Sequence, residues 1–342
     1  MREISSTRKA RGLTNMSQWG YASRTHRSSL AQMLRLRGRS AAALKSLRRH
    51  PLLYLMVLPG VAYFVIFKIV PLLGCVVAWQ DFNIFAGFFD SPWVGWKHFN
   101  VMFTYYDFLN ILRNTLVISI LNLTVGFLPP IILALVLNEI RNRYFLRTAQ
   151  TLIYLPHFLS WVIVAQVFKT ILSPGGGTVN VLLNGIFGIE PVYFMVRESL
   201  FPFIVVSASI WRNAGYSSII YLASLAAIDP QLYESAAIVG ANRWQQTWHI
   251  TLPCLQPTMV TIFLLNIGHL LFVGFDMIYN LQNDLVLGVS DVFDTYLYRV
   301  GILGGQYSMT TAVGLFQSVA GFILLVGGNY LAKRWTGRGL FG

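Results

Sequence analysis

Ionisable and amide side chains set inside apolar stretches are the groups in this chain best placed to do chemistry. Hydrocarbon makes them expensive, so they usually face a cavity or a partner helix. Arg212 and Asn213 stand together near the middle of one such stretch, and Asn266, His269 and Asp276 follow in another. Asn266 and His269 are three apart and so share a helix face. These groups can hydrogen-bond a polar solute in transit, or they can simply bond neighbouring helices. An unpaired guanidinium at Arg212 would be costly, so it requires a carboxylate, backbone carbonyls or water. Arg113 and Lys169 lie near stretch ends, where long cationic side chains snorkel to the interface. Covalent chemistry lacks its parts: the chain has no HExxH, no GxSxG, no clustered Cys and His, and no GxxxxGK[ST]. The two cysteines, Cys75 and Cys254, lie far apart without metal-ligand spacing.

The elements that must position these residues are membrane helices. The 342 residues are 55% hydrophobic and 11% charged, with a mean hydropathy of +0.57. Six apolar runs approach or exceed the roughly 20 residues that cross a bilayer as helix: Leu52–Trp79, Ile111–Leu137, Thr151–Leu172, Leu200–Ala226, Pro257–Tyr279 and Thr310–Leu331. An all-α polytopic membrane protein follows, with both termini on one face. Arg141, Arg143, Arg147, Lys333, Arg334 and Arg338 fall on that face, whereas Asp81, Asp90, Asp107, Glu190, Glu198, Asp284, Asp291 and Asp294 fall opposite. The positive-inside rule makes the basic face cytoplasmic.

Residues 1–50 form a separate basic tail with one acid, Glu3, and carry much of the formal net charge of +13. The tail has almost none of the interleaved aromatics of nucleic-acid binders. It suits a cytoplasmic anchor at an anionic lipid surface. Residues 51–342 are then the membrane domain. Trp93, Trp96 and Phe99 mark an aromatic outer loop, a headgroup-level belt or a docking surface. Gly314, Gly321, Gly327 and Gly328 in the last run allow close helix approach, including to a second subunit.

Between the fourth and fifth runs lies a polar segment, 229–253, too short to cross a bilayer. Asp229-Pro230 is a helix start, and Gly240 is a natural stop. A second helical run over 243–250 is expected to end before Pro253, giving a cytoplasmic hairpin. Small Ala236, Ala237 and Gly240 let its first helix lie close against a partner, and Glu234 offers a charge for orientation.

Glu234, Ala236, Gly240, Ile250, Leu252 and Pro253 resemble the EAA loop of bacterial ABC importer permeases, with Ser235 at the family's usual first alanine. The resemblance implies a type I importer fold and makes Glu234, Ala236, Ala237, Gly240, Ala241 and Arg243 the ATPase-coupling residues. Arg212, Asn213, Asn266, His269 and Asp276 become candidates for the translocation path. The stretches AQTLIYLPHFLSW (149–161), IIYLASLAAIDPQLY (219–233), VSDVFDTYLYRVG (289–301) and GQYSMTTAVGLFQS (305–318) are similar to sugar-importer permeases. Within those they look like the branch serving uronate-containing saccharides such as alginate. The likeness covers residues 51–342. It implies no cofactor in this chain, with ATP and Mg bound by two partner ATPase subunits. It also implies a second homologous permease, an extracytoplasmic solute-binding protein, and residence in the bacterial inner membrane. A proton- or ion-driven secondary transporter is the rival reading; it would usually show internal repeats and gives the EAA pattern no purpose.

Overall fold

With no water in hydrocarbon to bond backbone groups, a helix satisfies them within its own segment. In the computed structural model, which describes residues 51–337 and 339, every regular element is helical, and the sole β feature among the described residues is a bridge between Gln80 and Trp93. The chain is all-α, as expected. The basic tail of residues 1–50 lies outside the described residues.

The elements are α1 (Pro51–Trp79), α2 (Lys97–Thr104), α3 (Phe108–Asn138), α4 (Arg143–Phe158), α5 (Trp161–Ile171), α6 (Thr178–Phe187), α7 (Phe201–Ala226), α8 (Pro230–Ile238), α9 (Arg243–Gly268), α10 (Phe275–Leu281), α11 (Phe293–Tyr296) and α12 (Tyr307–Thr336). The chain divides into two units after Gly74. The described part of the first, residues 51–74, is apolar, and no residue of Pro51–Phe64 is buried.

Helices α1, α3, α9 and α12 are each long and apolar enough to cross a membrane, and α4 with α5 form a fifth candidate bent by 101°. The third and fifth expected runs need correction, whereas the fourth stands where expected. The fourth, α7, is 26 residues long, but Arg212, Asn213 and its serines keep it below the apolarity of the others. It can be polar because it is wrapped by protein. Phe201, Val205 and Ala208 pack with Ile118, Val164, Ala165 and Ile278, and toward its other end Tyr221 and Leu225 pack with Ile131, Ala134 and Leu255.

The third run is not one straight helix. Proline within a helix removes a hydrogen bond and crowds the preceding turn. Pro156 leads the chain into a 3-10 turn, Leu155–Phe158. Ser160 then starts α5, its hydroxyl accepting from the Ile163 N–H.

The fifth run begins earlier and stops sooner than expected. The segment after Gly240 does not end before Pro253. Asn242 and Gln245 form a capping box, and the helix passes through a π turn at Thr247–Thr251 into Leu252–Gly268. In that position Pro253 sits in the first turn after the π segment, where its missing donor is tolerated. The helix stops at Gly268; the chain then runs unwound to Gly274, whose φ of 106° favours glycine, before α10 begins.

Candidate functional site

A cavity of about 390 Å³ opens between α3, α7 and α9. Its polar lining is Ser119 and Asn122 from α3, Ser209, Asn213 and Ser217 from α7, and Asn266 with His269 at the end of α9. Among the described residues no Asp, Glu, Lys or Arg lines it. Three of the sequence-predicted path residues therefore meet there: Asn213, Asn266 and His269. Asp276 does not line the cavity; it stands exposed on α10, beyond the unwound segment. Arg212 does not line it either.

Arg212 instead finds the backbone carbonyl that its position demands. Its Nε donates to Leu159 O at 3.1 Å, the carbonyl at the bend between α4 and α5. Its Nη1 donates to Asn213 Oδ1 at 3.0 Å, and the guanidinium lies 4.8 Å over the Trp161 ring. His157 Nδ1 reaches the same Asn213 oxygen at 3.1 Å, while its ring stacks on Tyr216 at 3.9 Å, nearly parallel. Arg212 thus ties the bend and the start of α5 to α7, and His157 ties the end of α4. At Gly215, where a β-carbon would come within 2.2 Å of Ile153 O, α4 and α7 touch backbone to side-chain-free backbone.

The second interruption, between α9 and α10, supplies the cavity residues His269, Leu270, Phe272 and Val273. Its freed backbone groups are met from α11 and α12. Asp294 Oδ2 accepts from Gly274 N at 2.8 Å. Buried Gln317 donates from Nε2 to Leu271 O at 2.6 Å. His269 Nδ1 contacts Leu265 O at 3.0 Å. A carbonyl only accepts, so a neutral His269 carries its proton on Nδ1 and leaves Nε2 as an acceptor.

Sequence reasoning did not assign roles to His157, Trp161, Gln317 or Asp294. Proline four residues before a capping serine, Pro156 and Ser160, was the available signal for the first break. Gln317 had none, because its partner carbonyl is 46 residues away in sequence.

Outside the helices, α8 opens at Asp229, whose carboxylate accepts from Gln231 N, and the chain turns at Gly240 with φ 89°. Tyr233 and Thr251 join the two legs through their hydroxyls at 3.0 Å. Ala236, Gly240 and Ala241 line a shallow hollow with Gln245, Gln246 and His249. Glu234 and Ala237 are exposed, and Ile238 and Val239 are 87% and 88% exposed at the tip. Arg243 pairs with Glu139 at 2.8 Å, fastening the hairpin to the end of α3.

Residues 126–337 match the family described as binding-protein-dependent transport system inner membrane component. The chain is 47% identical over 289 residues to the polygalacturonan/rhamnogalacturonan transport system permease protein YteP of Bacillus subtilis, covering 84% of this chain and 90% of that protein. It is 42% identical over 304 residues to Protein LplB of the same organism, covering 89% and 95%. Among solved structures it resembles a bacterial ABC transporter involved in the import of the acidic polysaccharide alginate, with a TM-score of 0.78 and 40% identity over 85% of this chain and 98% of that one. A complex of the bacterial alginate ABC transporter with an alginate pentasaccharide-bound periplasmic protein gives 0.78 and 39%, covering 86% and 99%.

Proposed function

This chain belongs to the binding-protein-dependent transport system inner membrane components, and on that premise we propose that it is one of two permease subunits importing a uronate-bearing oligosaccharide. A separate ATPase drives it through the hairpin at 229–253. The observation that carries this reading is the pairing of two features in one chain. A polar cavity without fixed charge lies among the helices, and a hairpin with a bare apolar tip lies outside them. The first suits a hydroxyl-rich solute. The second suits a cleft on another protein, since Ile238 and Val239 are left without cover.

In this reading Glu234, Ala236, Ala237, Gly240, Ala241 and Arg243 transmit the motion of the ATPase, and the bound ATP and Mg belong to that subunit. Arg243 takes part by pinning the hairpin to α3. Asn213, Asn266 and His269 face the solute; Asp276 lies on the outward side of the break. An extracytoplasmic binding protein delivers the saccharide, and nucleotide shifts the population between inward- and outward-open states. The chain is a non-catalytic permease of the inner membrane with both termini in the cytoplasm. Residues 51–342 form its transport domain, and residues 1–50 are its basic cytoplasmic tail. The relatives' substrates support the saccharide class: polygalacturonan, rhamnogalacturonan and alginate share the carboxylated sugar ring. An ion-driven transporter leaves the hairpin without a purpose.

Reconstitution with the second permease, ATPase and binding protein tests this. Wild type should show ATPase stimulation by binding protein loaded with a galacturonan or alginate oligosaccharide. Gly240→Trp, which puts a side chain where φ is 89°, should abolish stimulation, and Glu234→Ala should weaken it. Stimulation unchanged in both variants would refute coupling through the hairpin.

A further inference from the structure

We propose that Arg212 is a positioning residue that locks the Asn213 amide with its Nδ2 donors turned to the cavity, where they bind a carboxylate of the saccharide. This rests on the substrate class proposed above and specifies the group that reads it.

The orientation of an asparagine amide is set by its partners, and here one partner leaves no choice. Arginine has five N–H donors and no acceptor. The atom 3.0 Å from Arg212 Nη1 must therefore be the amide oxygen. His157 approaches that same oxygen, so its Nδ1 carries the proton, and the two donors occupy both lone pairs of Oδ1. Among the described residues Asn213 Nδ2 has no hydrogen-bond partner, and it is not among the buried polar atoms left unpaired. The nitrogen is therefore not sealed from solvent, on a residue that lines the cavity. Toward a solute, Asn213 is a donor only.

Two features make that donor selective for an anion. The guanidinium bonded to Oδ1 polarises the amide, since hydrogen bonds in series strengthen one another. It also places a positive charge one side chain behind the cavity wall. The charge itself is engaged with Leu159 O and stacked on Trp161, so a passing carboxylate meets neutral N–H groups and not an ion pair. A transport path must bind its cargo weakly enough to release it, and relaying a cation through an amide meets that need. The acceptor pole is separate: His269 presents Nε2 to hydroxyl hydrogens when its Nδ1 bonds Leu265 O.

The decisive variant is Asn213→Asp. It keeps an oxygen for Arg212 and His157, so the bend stays tied, but it replaces the cavity donors with an anionic oxygen. The complete importer, with its ATPase, second permease and binding protein, is reconstituted in vesicles. Uptake is measured for galacturonan and alginate oligosaccharides, each beside its carboxyl-reduced counterpart, and gel filtration checks assembly. Asn213→Asp should lower uptake of the acidic sugars by about tenfold or more and that of the reduced sugars far less, as expected for a lost charge-assisted hydrogen bond. Arg212→Gln should lower the acidic-to-reduced ratio in the same direction although Asn213 is intact, and Arg212→Lys should restore part of it. A role confined to folding would lower both sugars together and leave the ratio unmoved; that result, or an Asn213→Asp importer with wild-type ratio, overturns the proposal. Wild type without preference for the acidic sugar overturns the substrate class itself, and this proposal with it.

Discussion

Two interruptions of helix meet in this molecule, and they are held by opposite means. At the bend between α4 and α5 a carbonyl, Leu159 O, is exposed, and a cation, Arg212, covers it. At the gap between α9 and α10 an N–H, Gly274, is exposed, and an anion, Asp294, covers it; the carbonyl of Leu271 is met by Gln317. Backbone freed within a membrane protein must be bonded where it lies, and each break carries the side chain whose sign matches the orphaned group. The difference lies in what else the partner does. Arg212 also grips a cavity side chain, whereas Asp294 and Gln317 bond backbone and each other. One break is linked to the solute site; the other shapes its wall.

The sharpest way to break the comparison is at the packing of the first interruption. Gly215→Ala would set a methyl within about 2.2 Å of Ile153 O. Backbone cannot yield as a side chain can, so α4 must shift at a cost of about 2–3 kcal/mol. A fall in the melting temperature of the detergent-solubilised complex, with a lowered acidic-to-reduced uptake ratio, is expected. A normal melt would mean that α4 is not pressed onto α7.

Gln317→Leu tests the second interruption. It keeps bulk but leaves the buried Leu271 carbonyl unbonded, costing about 1–3 kcal/mol. The melting temperature should fall, and hydrogen exchange should quicken around residues 269–274, while the acidic-to-reduced ratio stays near wild type. A changed ratio would show that both breaks, and not just the first, are linked to solute choice.

The smallest effect is expected at a pair belonging to neither break. Lys97 Nζ lies 2.6 Å from Asp81 Oδ2, with both side chains half exposed. That hydrogen bond, with lesser help from Lys97 and His98 charges, holds the Asp81 carboxyl below its usual pKa. A lowered folded-state pKa gives stability that is present above the unfolded carboxylate value and is lost as pH falls through the lowered one. Exposure keeps it below about 1 kcal/mol. Asp81→Asn should therefore trim the melting temperature slightly at neutral pH and flatten its acid-side slope. An unchanged slope would remove Asp81 as a contributor.

Much of the helical content was legible because apolar run length reports helices that face lipid. It joined α4 to α5 because hydropathy does not register a 101° bend. The hairpin's first helix was readable from Asp229, Pro230 and Gly240, which act on their immediate neighbours. Its second leg was not: Pro253 looked like a terminator, and the π turn that admits it was invisible. Asn266 and His269 were placed on one face by spacing, and the cavity confirms that shared face.

Sequence by itself determined the class of the molecule, the sites of its turns and the need of Arg212 for a partner, since burial preference, helix capping and desolvation act through residue type and near neighbours. Only the tertiary structure decided which partner that is. The carbonyl of Leu159 is 53 residues from Arg212, and nothing in the local chain distinguishes it from other carbonyls until α4, α5 and α7 have packed.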